Sequence, residues 1–274
     1  MPPATKFRIG EYHCWALADG ELLYPASVLL PPDGRVEEQI AVPYTAVLID
    51  TGSRRILIDT GAGALGPGTG KLPESLAAAG FSPADMDTVI LSHGHPDHVG
   101  GLPQFPRAEV IMMRNEYEFW TAPETQSRLA ASAIFHLGPL EPLMASYVRD
   151  CLIPARDRLR LIEQPEEVAG GVLVFPAPGH TPGHAAVLLS SGRQQLLYVA
   201  DAVLHPAQFE NPGWVSAFDL APDQTVRTRK ELLERAAVDR CLVAGFHLSG
   251  GIGAVRTQRG RFHWDPADRL DAAV

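Results

Sequence analysis

Ser92-His93-Gly94-His95-Pro96-Asp97-His98-Val99-Gly100-Gly101 gathers three imidazoles and a carboxylate within six residues. Such side chains make poor core filling, because every buried polar group needs a partner. Thr88 to Ser92 reads as a buried strand that delivers the chain directly into this cluster. A helix cannot easily turn positions 93 and 95 the same way, whereas a loop just beyond a strand can. Neutral imidazoles suit zinc, and a neighbouring carboxylate adds negative charge to balance a second cation. Gly94 and Pro96 fit a tightly folded loop, and Gly100-Gly101 allows close backbone packing behind it.

Further ligand candidates recur downstream, each after an apolar run. His180 lies in Pro178-Gly179-His180-Thr181-Pro182-Gly183-His184, Asp201 ends Tyr198-Val199-Ala200, and His247 follows Val243-Ala244-Gly245-Phe246. A strand would deliver each such residue to a sheet edge. Any one of them alone would be read as structural; together with the cluster they point to a metal centre. His184 reads as a packing or ligand-supporting residue and His205 as structural, while His13, His136 and His263 have no ligand-like context.

Short strand-like runs alternate with helical ones, and no long linker or low-complexity tract interrupts them, so 1–274 is read as a single α/β domain. Strands are expected from Phe7 to Ala18, Ala46 to Asp50, Arg55 to Asp59, Glu109 to Met113, Val172 to Phe175, Ala185 to Leu189 and Gln195 to Val199, with three more near the end. Helices are expected over Leu72 to Ala79, Asn115 to Trp120 and Pro222 to Ala237, the last with Val226, Leu233 and Ala237 on one face and a Glu231–Arg235 pair. Leu22 to Val42, rich in proline, reads as an irregular loop, and segments 124–135 and 140–150 as helical. Segments 22–42 and 124–150 are candidates for a lid or a dimer surface. One internal echo stands out: Ala46 to Asp59 and Ala186 to Asp201 are both apolar strand–turn–strand units ending in aspartate.

The net charge of −9 argues against a sequence-independent grip on nucleic acid. No apolar run reaches the roughly 20 residues that span a bilayer, so no membrane partner is expected. Three isolated cysteines without CxxC spacing form neither a disulfide framework nor a thiolate zinc site. The opening residues lack a basic head followed by an apolar stretch, which points to a cytoplasmic enzyme.

The HxHxDH run at 93–98, followed by His180, Asp201 and His247, resembles the metallo-β-lactamase-fold hydrolases, over nearly the whole chain from Ile58-Asp59-Thr60-Gly61 to the last of these histidines. The resemblance implies an αββα four-layer sandwich, two mixed β-sheets flanked by helices. It implies His93, His95 and His180 on one metal, Asp97, His98 and His247 on the other, and Asp201 bridging them, with Asp59 orienting ligands. Two divalent ions, zinc first and manganese, cobalt or iron as alternatives, would share a hydroxide that attacks the substrate, and Asp97 would carry its proton.

Asn115-Glu116-Tyr117-Glu118-Phe119-Trp120 and Ala244-Gly245-Phe246-His247-Leu248 resemble a branch that includes methyl parathion hydrolase-like enzymes and lactone- and aryl-ester-hydrolysing relatives. That branch implies Trp120 in an apolar substrate pocket and, by resemblance alone, a homodimer. The expected function is therefore hydrolysis of a small hydrophobic lactone or aryl ester, extending to phosphotriesters. The alternatives are phosphotriester cleavage as the main activity, or iron-dependent redox chemistry of the persulfide dioxygenase or oxygen reductase type. Ala202-Val203-Leu204 stands where acyl-homoserine lactonases often carry a tyrosine, which counts against that subgroup.

Overall fold

Strict alternation along the central strands decides how the chain folds, because successive side chains of a strand point to opposite faces. The computed structural model describes residues 2–30, 39–125 and 140–267. Its first half runs Ala4–Ile9 (β1), Tyr12–Pro25 (β2), Ala26–Leu29 (α1), Gln39–Asp50 (β3), Arg55–Ile58 (β4), Leu72–Ala78 (α2), Thr88–Ile90 (β5), Pro96–Val99 (α3), Glu109–Met113 (β6), Arg114–Thr121 (α4), Leu140–Tyr147 (α5) and Leu159–Ile162 (β7). The second half runs Glu166–Ala169 (β8), Val172–Pro176 (β9), Ala185–Ser191 (β10), Gln194–Tyr198 (β11), Ala207–Glu210 (α6), Pro222–Asp239 (α7), Leu242–Ala244 (β12), Ile252–Gln258 (β13) and Arg261–Pro266 (β14). Strands β1 to β7 form one sheet in sequence order and β14 to β8 the other.

Val47, Ile49, Ile56 and Ile58 of the first sheet share one buried cluster with Val187, Leu189, Leu196 and Tyr198 of the second. Their neighbours Ala46, Leu48 and Leu57 face outward, into a cluster with Leu72 and Leu76 of α2 and Phe119 of α4. Ala186, Leu188 and Leu197 likewise meet Leu232, Leu233 and Ala236 of α7. Three apolar layers thus separate four layers of secondary structure, the αββα sandwich with two mixed sheets.

The echo read from the sequence is present as topology. β3 and β4 pair antiparallel with Val47 opposite Ile58, and β5 adds in parallel with Ile90 beside Ile58. β10 and β11 pair antiparallel with Val187 opposite Tyr198, and β12 adds in parallel with Ala244 beside Tyr198. The loops after β5 and β12 therefore leave corresponding edges of two facing sheets, and they carry His93 to His98 and His247.

Two local expectations are corrected. Leu22 to Val42 is not a loop at its ends: β2 continues through Pro25 and β3 begins at Gln39, with Leu22 opposite Val42 and Tyr24 opposite Ile40. Of the prolines in or beside this ribbon that the structure describes, Pro25 ends β2 and Pro43 lies in the part of β3 that β4, pairing only from Val47 onward, does not reach, and pairing between distant residues outweighs local propensity. Residues 31–38 lie outside the described ones, as do 126–139 with His136. The buried face of α7 is Thr225, Thr228, Arg229, Leu232, Leu233 and Ala236, displaced from the expected Val226–Leu233–Ala237 line. Two threonines and an arginine on the inner face conceal it from a hydrophobic pattern. Arg235 pairs with Asp239 at 3.6 Å instead of with Glu231. Among the described residues no helix is long and apolar enough to cross a membrane.

Candidate metal centre

Ser92 ends the β5 segment under the control of Asp59. The Asp59 carboxylate accepts hydrogen bonds from the Ser92 backbone N–H at 2.8 Å and from its hydroxyl at 2.8 Å. Asp59 itself has a left-handed φ of 61°, a conformation aspartate tolerates better than most residues. The loop then turns through Gly94 into the single turn of α3. A Cβ on Gly94 would run into the Trp120 indole, and one on Gly101 into the Thr60 carbonyl oxygen, so both glycines are needed for close approach.

The seven predicted ligands come together. His93, His95, His180 and Asp201 form one group and Asp97, His98 and His247 another, with one ligand atom per residue within 4.8 Å of the others. Asp201 stands between the groups. Its Oδ2 lies 3.3 Å from His180 Nε2 and 3.3 Å from His247 Nε2, and its Oδ1 lies 3.2 Å from His98 Nε2. Asp97 Oδ2 is 3.3 Å from His247 Nε2 and 3.6 Å from His98 Nε2.

Protons alone do not satisfy this arrangement. His95 Nδ1 lies 2.9 Å from His93 Nε2 and 2.9 Å from His180 Nε2, yet a ring nitrogen carries at most one proton. His98 Nε2 and Asp201 Oδ1, though 3.2 Å apart, are buried with no well-aligned hydrogen-bond partner. Buried polar atoms of this kind are costly unless something completes them. A cation in each group would complete all of them, and the all-imidazole-and-carboxylate donor set suits zinc and its neighbours.

The outer ring nitrogens of His93, His98, His180 and His247 are held in turn, as ligating histidines require, whereas that of His95, Nε2, is buried with no partner among the described residues. His98 Nδ1 lies 2.9 Å from Asp59 Oδ2, His180 Nδ1 3.1 Å from Asp219 Oδ1, His247 Nδ1 3.1 Å from the Pro43 carbonyl, and His93 Nδ1 3.0 Å from Ser92 Oγ. Tyr198 donates to Asp59 at 2.7 Å from the opposite sheet. Burial holds His93 and His95 well below the usual imidazole range. Burial also opposes charge on His180 and His247, but hydrogen bonds and the charge of Asp201 outweigh it and push both up to about 9.

His184 supports the site without joining it. Its Nδ1 lies 2.9 Å from the Ala177 carbonyl, and its Nε2 accepts from the Asp201 backbone N–H at 3.1 Å. Only the neutral ring can serve both, and burial followed by the charge of His180 pulls its pKa down to about 4. Because the unfolded value lies near 6.5, the unfolded chain binds more protons between those limits, so stability is lost as pH falls through them. The thermal midpoint is expected to fall as pH drops from about 6.5 to 4, and His184→Gln, which keeps one donor and one acceptor, should flatten that slope. Equal slopes for the two proteins would show that His184 does not contribute.

Glu116 gave no signal as a site residue, although it lies in the quoted 115–120 run. It is fully buried and its carboxylate accepts from Gly94 N–H at 2.9 Å, Trp120 Nε1 at 2.6 Å, Thr181 Oγ1 at 2.8 Å and Gly183 N–H at 2.8 Å. One side chain thereby ties the loop of His93 and His95 to the loop of His180. Trp120 takes part in this brace, and it is not among the described residues that line the cavity at the cluster. Its indole is 4% exposed and packs edge-on to His95 at 5.4 Å, behind the loop. The branch resemblance implied an apolar surrounding for Trp120, but which side of the metal loop its ring meets depends on the contact of α4 with residues 92–95, which local sequence does not carry.

A cavity of about 320 Å³ opens onto His95, Asp97, His180, Asp201 and His247. Among the described residues its other walls are apolar except for Tyr24, and they include Leu22, Val28, Leu65, Met144, Leu204 and Phe218. Both segments read as a lid or dimer surface thus contribute to the cavity wall.

A family model described as the metallo-beta-lactamase superfamily matches residues 40–245. An N-acyl homoserine lactonase of a Bacillus species is 30% identical over 145 residues, which cover 53% of this chain and 49% of the relative. The N-acyl homoserine lactonase AiiA of Bacillus thuringiensis subsp. kurstaki is 29% identical over 160 residues, 58% of this chain and 54% of the relative. The chain therefore spans about half the length of the curated relatives it matches. Among solved structures, AidC, a dizinc quorum-quenching lactonase in complex with a product N-hexnoyl-L-homoserine, is similar with a TM-score of 0.87 and 27% identity, covering 98% of both chains. AbOPH, a hydrolase in the beta lactamase superfamily, shares the fold with a TM-score of 0.87 at 24% identity and covers 99% of each chain.

Proposed function

The chain belongs to the metallo-β-lactamase superfamily, and from that premise we propose that it is a dinuclear metal-dependent hydrolase that opens a small lactone carrying an apolar tail. The observation that carries this reading is the cavity, whose apolar wall runs down to both ligand groups at once. An ester placed there has its tail removed from water and its carbonyl against the imidazoles and carboxylates. The lactonase relatives favour a lactone as that ester. Leu204, which counted against an acyl-homoserine lactonase, is one more apolar wall residue of the same cavity.

His93, His95 and His180 would hold one divalent ion and Asp97, His98 and His247 the second, with Asp201 shared. When bound, the two ions supply Lewis acidity and a water acidic enough to ionise near neutrality. Asp97 borders the cavity, and although burial opposes its charge, His98 and His247 keep its carboxyl below the usual range. Asp97 is therefore ionised at neutral pH. It can take the proton released as water adds to the carbonyl and return it to the departing alkoxide, giving the ring-opened hydroxy acid. The single-domain organisation, the cytoplasmic location and the homodimer expected from the sequence belong to the same reading.

A panel of N-hexanoyl homoserine lactone, dihydrocoumarin, an aliphatic γ-lactone, an aryl ester and a phosphotriester tests it. The N-acyl lactone is expected to show the highest kcat/KM. Dialysis against a chelator should abolish turnover, and zinc, manganese or cobalt should restore it. A phosphotriester ranked above every lactone would replace the substrate assignment. Stoichiometric iron with a visible spectrum and no hydrolysis of any member would overturn the hydrolase reading.

A further inference from the structure

Tyr24 is the one polar side chain on the cavity wall, among the described residues, apart from the candidate ligands. Its hydroxyl lies 2.7 Å from that of Tyr44, with which it forms its hydrogen bond. The two residues come from β2 and β3, on the ribbon whose extension the sequence concealed. Tyr44 is 0% exposed, stacked on Phe246 at 5.5 Å and edge-on to His247 at 5.2 Å, so it is fixed against the metal centre. The Tyr24 ring is held edge-on to Phe218 at 5.8 Å.

The direction of the hydrogen bond follows from what each phenol can reach. If Tyr24 donated to Tyr44, the buried Tyr44 proton would have no acceptor among the described residues, which is costly. With Tyr44 donating, its proton is satisfied and the Tyr24 proton is left to the cavity. Both phenols stay protonated at neutral pH, because burial and then the charge of Asp97 push them up. Tyr24 makes no hydrogen bond to any candidate ligand, so what it offers is a donor distinct from the cluster that meets the attacked bond.

We propose that Tyr24 donates to a neutral carbonyl oxygen of the substrate other than the ester under attack, with Tyr44 behind it fixing the direction of the proton. A single polar group in an apolar cavity fixes orientation, and an oxygen that leaves it unpaired is discriminated against. The substrate class this selects is a lactone that carries a second acceptor, such as an amide, between the ring and the apolar tail. The inference rests on the lactonase reading.

The test compares kcat/KM for N-hexanoyl homoserine lactone with that for a γ-alkyl lactone of matched tail length and no amide. Wild-type protein should prefer the amide-bearing lactone. Tyr24→Phe keeps the ring on Phe218 and should cut the ratio of the two about tenfold, chiefly through KM, as expected for one lost neutral hydrogen bond. Tyr44→Phe removes the brace from outside the cavity and should lower the same ratio by a smaller factor. A ratio unmoved in Tyr24→Phe, or an equal fall on both lactones, overturns the proposal. Should Tyr24→Phe fail to fold, an unmoved ratio in Tyr44→Phe overturns it as well. Failure of the wild-type protein to open either lactone sinks the lactonase reading itself, and is recognised without any variant.

Discussion

Asp201→Ala is expected to leave fewer than two metals per chain and to lower kcat/KM by a factor on the order of 10³ or more, because the proposed hydrolysis would depend on both ions. Among the described residues Asp201 is the only carboxylate that approaches histidines of both groups, standing 3.3 Å from His180, 3.3 Å from His247 and 3.2 Å from His98. With Asp97, its charge would also balance two cations in a buried place. Burial would push the Asp201 carboxyl up, but His247, His98 and His93 together hold it well below the usual range, so it is ionised whenever the protein is folded near neutral pH. Asp201→Asn separates charge from shape: it keeps the side-chain volume and should lose nearly as much metal. Metal analysis of the purified variants decides the matter, and near-wild-type occupancy at two ions per chain would contradict the shared-ligand role.

Glu116→Ala should be the most damaging change that touches no candidate ligand. It removes the acceptor of four buried donors, the N–H groups of Gly94 and Gly183, the Thr181 hydroxyl and the Trp120 indole. Leaving such donors unpaired costs roughly 1–3 kcal/mol each before relaxation, so a net loss of about 4 kcal/mol is expected. For a chain of this size that is a fall in Tm of about 10 °C. The loops of His93, His95 and His180 are no longer held together, so zinc affinity should fall about 10- to 100-fold as well. Glu116→Gln is nearly isosteric but turns an amide NH2 towards at least one fixed N–H donor, and should behave like a milder alanine variant. Thermal unfolding of the metal-free proteins separates the stability effect from the metal effect. A metal-free Glu116→Ala with wild-type Tm would show that the brace contributes nothing to the fold.

The two effects differ in how readily they were seen. Asp201 follows an apolar strand, a local pattern, and its place among His180 and His247 could be expected from that. Glu116 sits in the quoted 115–120 run without any local mark of its role, since only Trp120 among its four partners is near in sequence and the other three lie 22, 65 and 67 residues away. The same holds for Asp219, which orients His180 across 39 residues, and for Tyr24 and Tyr44, which meet because β2 and β3 pair with each other.

The sequence by itself determined the apolar strand runs and the set of imidazoles and carboxylates that follow them, and the two-sheet sandwich was legible only through the resemblance that those residues carry. The runs and the residues that follow them are properties of neighbouring residues: a strand repeats every two positions, and a run that ends in histidine or aspartate delivers that side chain to an edge. Only the tertiary structure decided which face of Trp120 meets the metal loop, which polar residues line the inside of α7, and which distant carboxylates hold the ligands in place. Those choices depend on contacts between residues far apart in the chain, where burial makes an unpaired polar group costly and so selects one partner among many. The histidine cluster at 93–98 was legible as a metal site; the brace that makes it one rigid site with His180 was not.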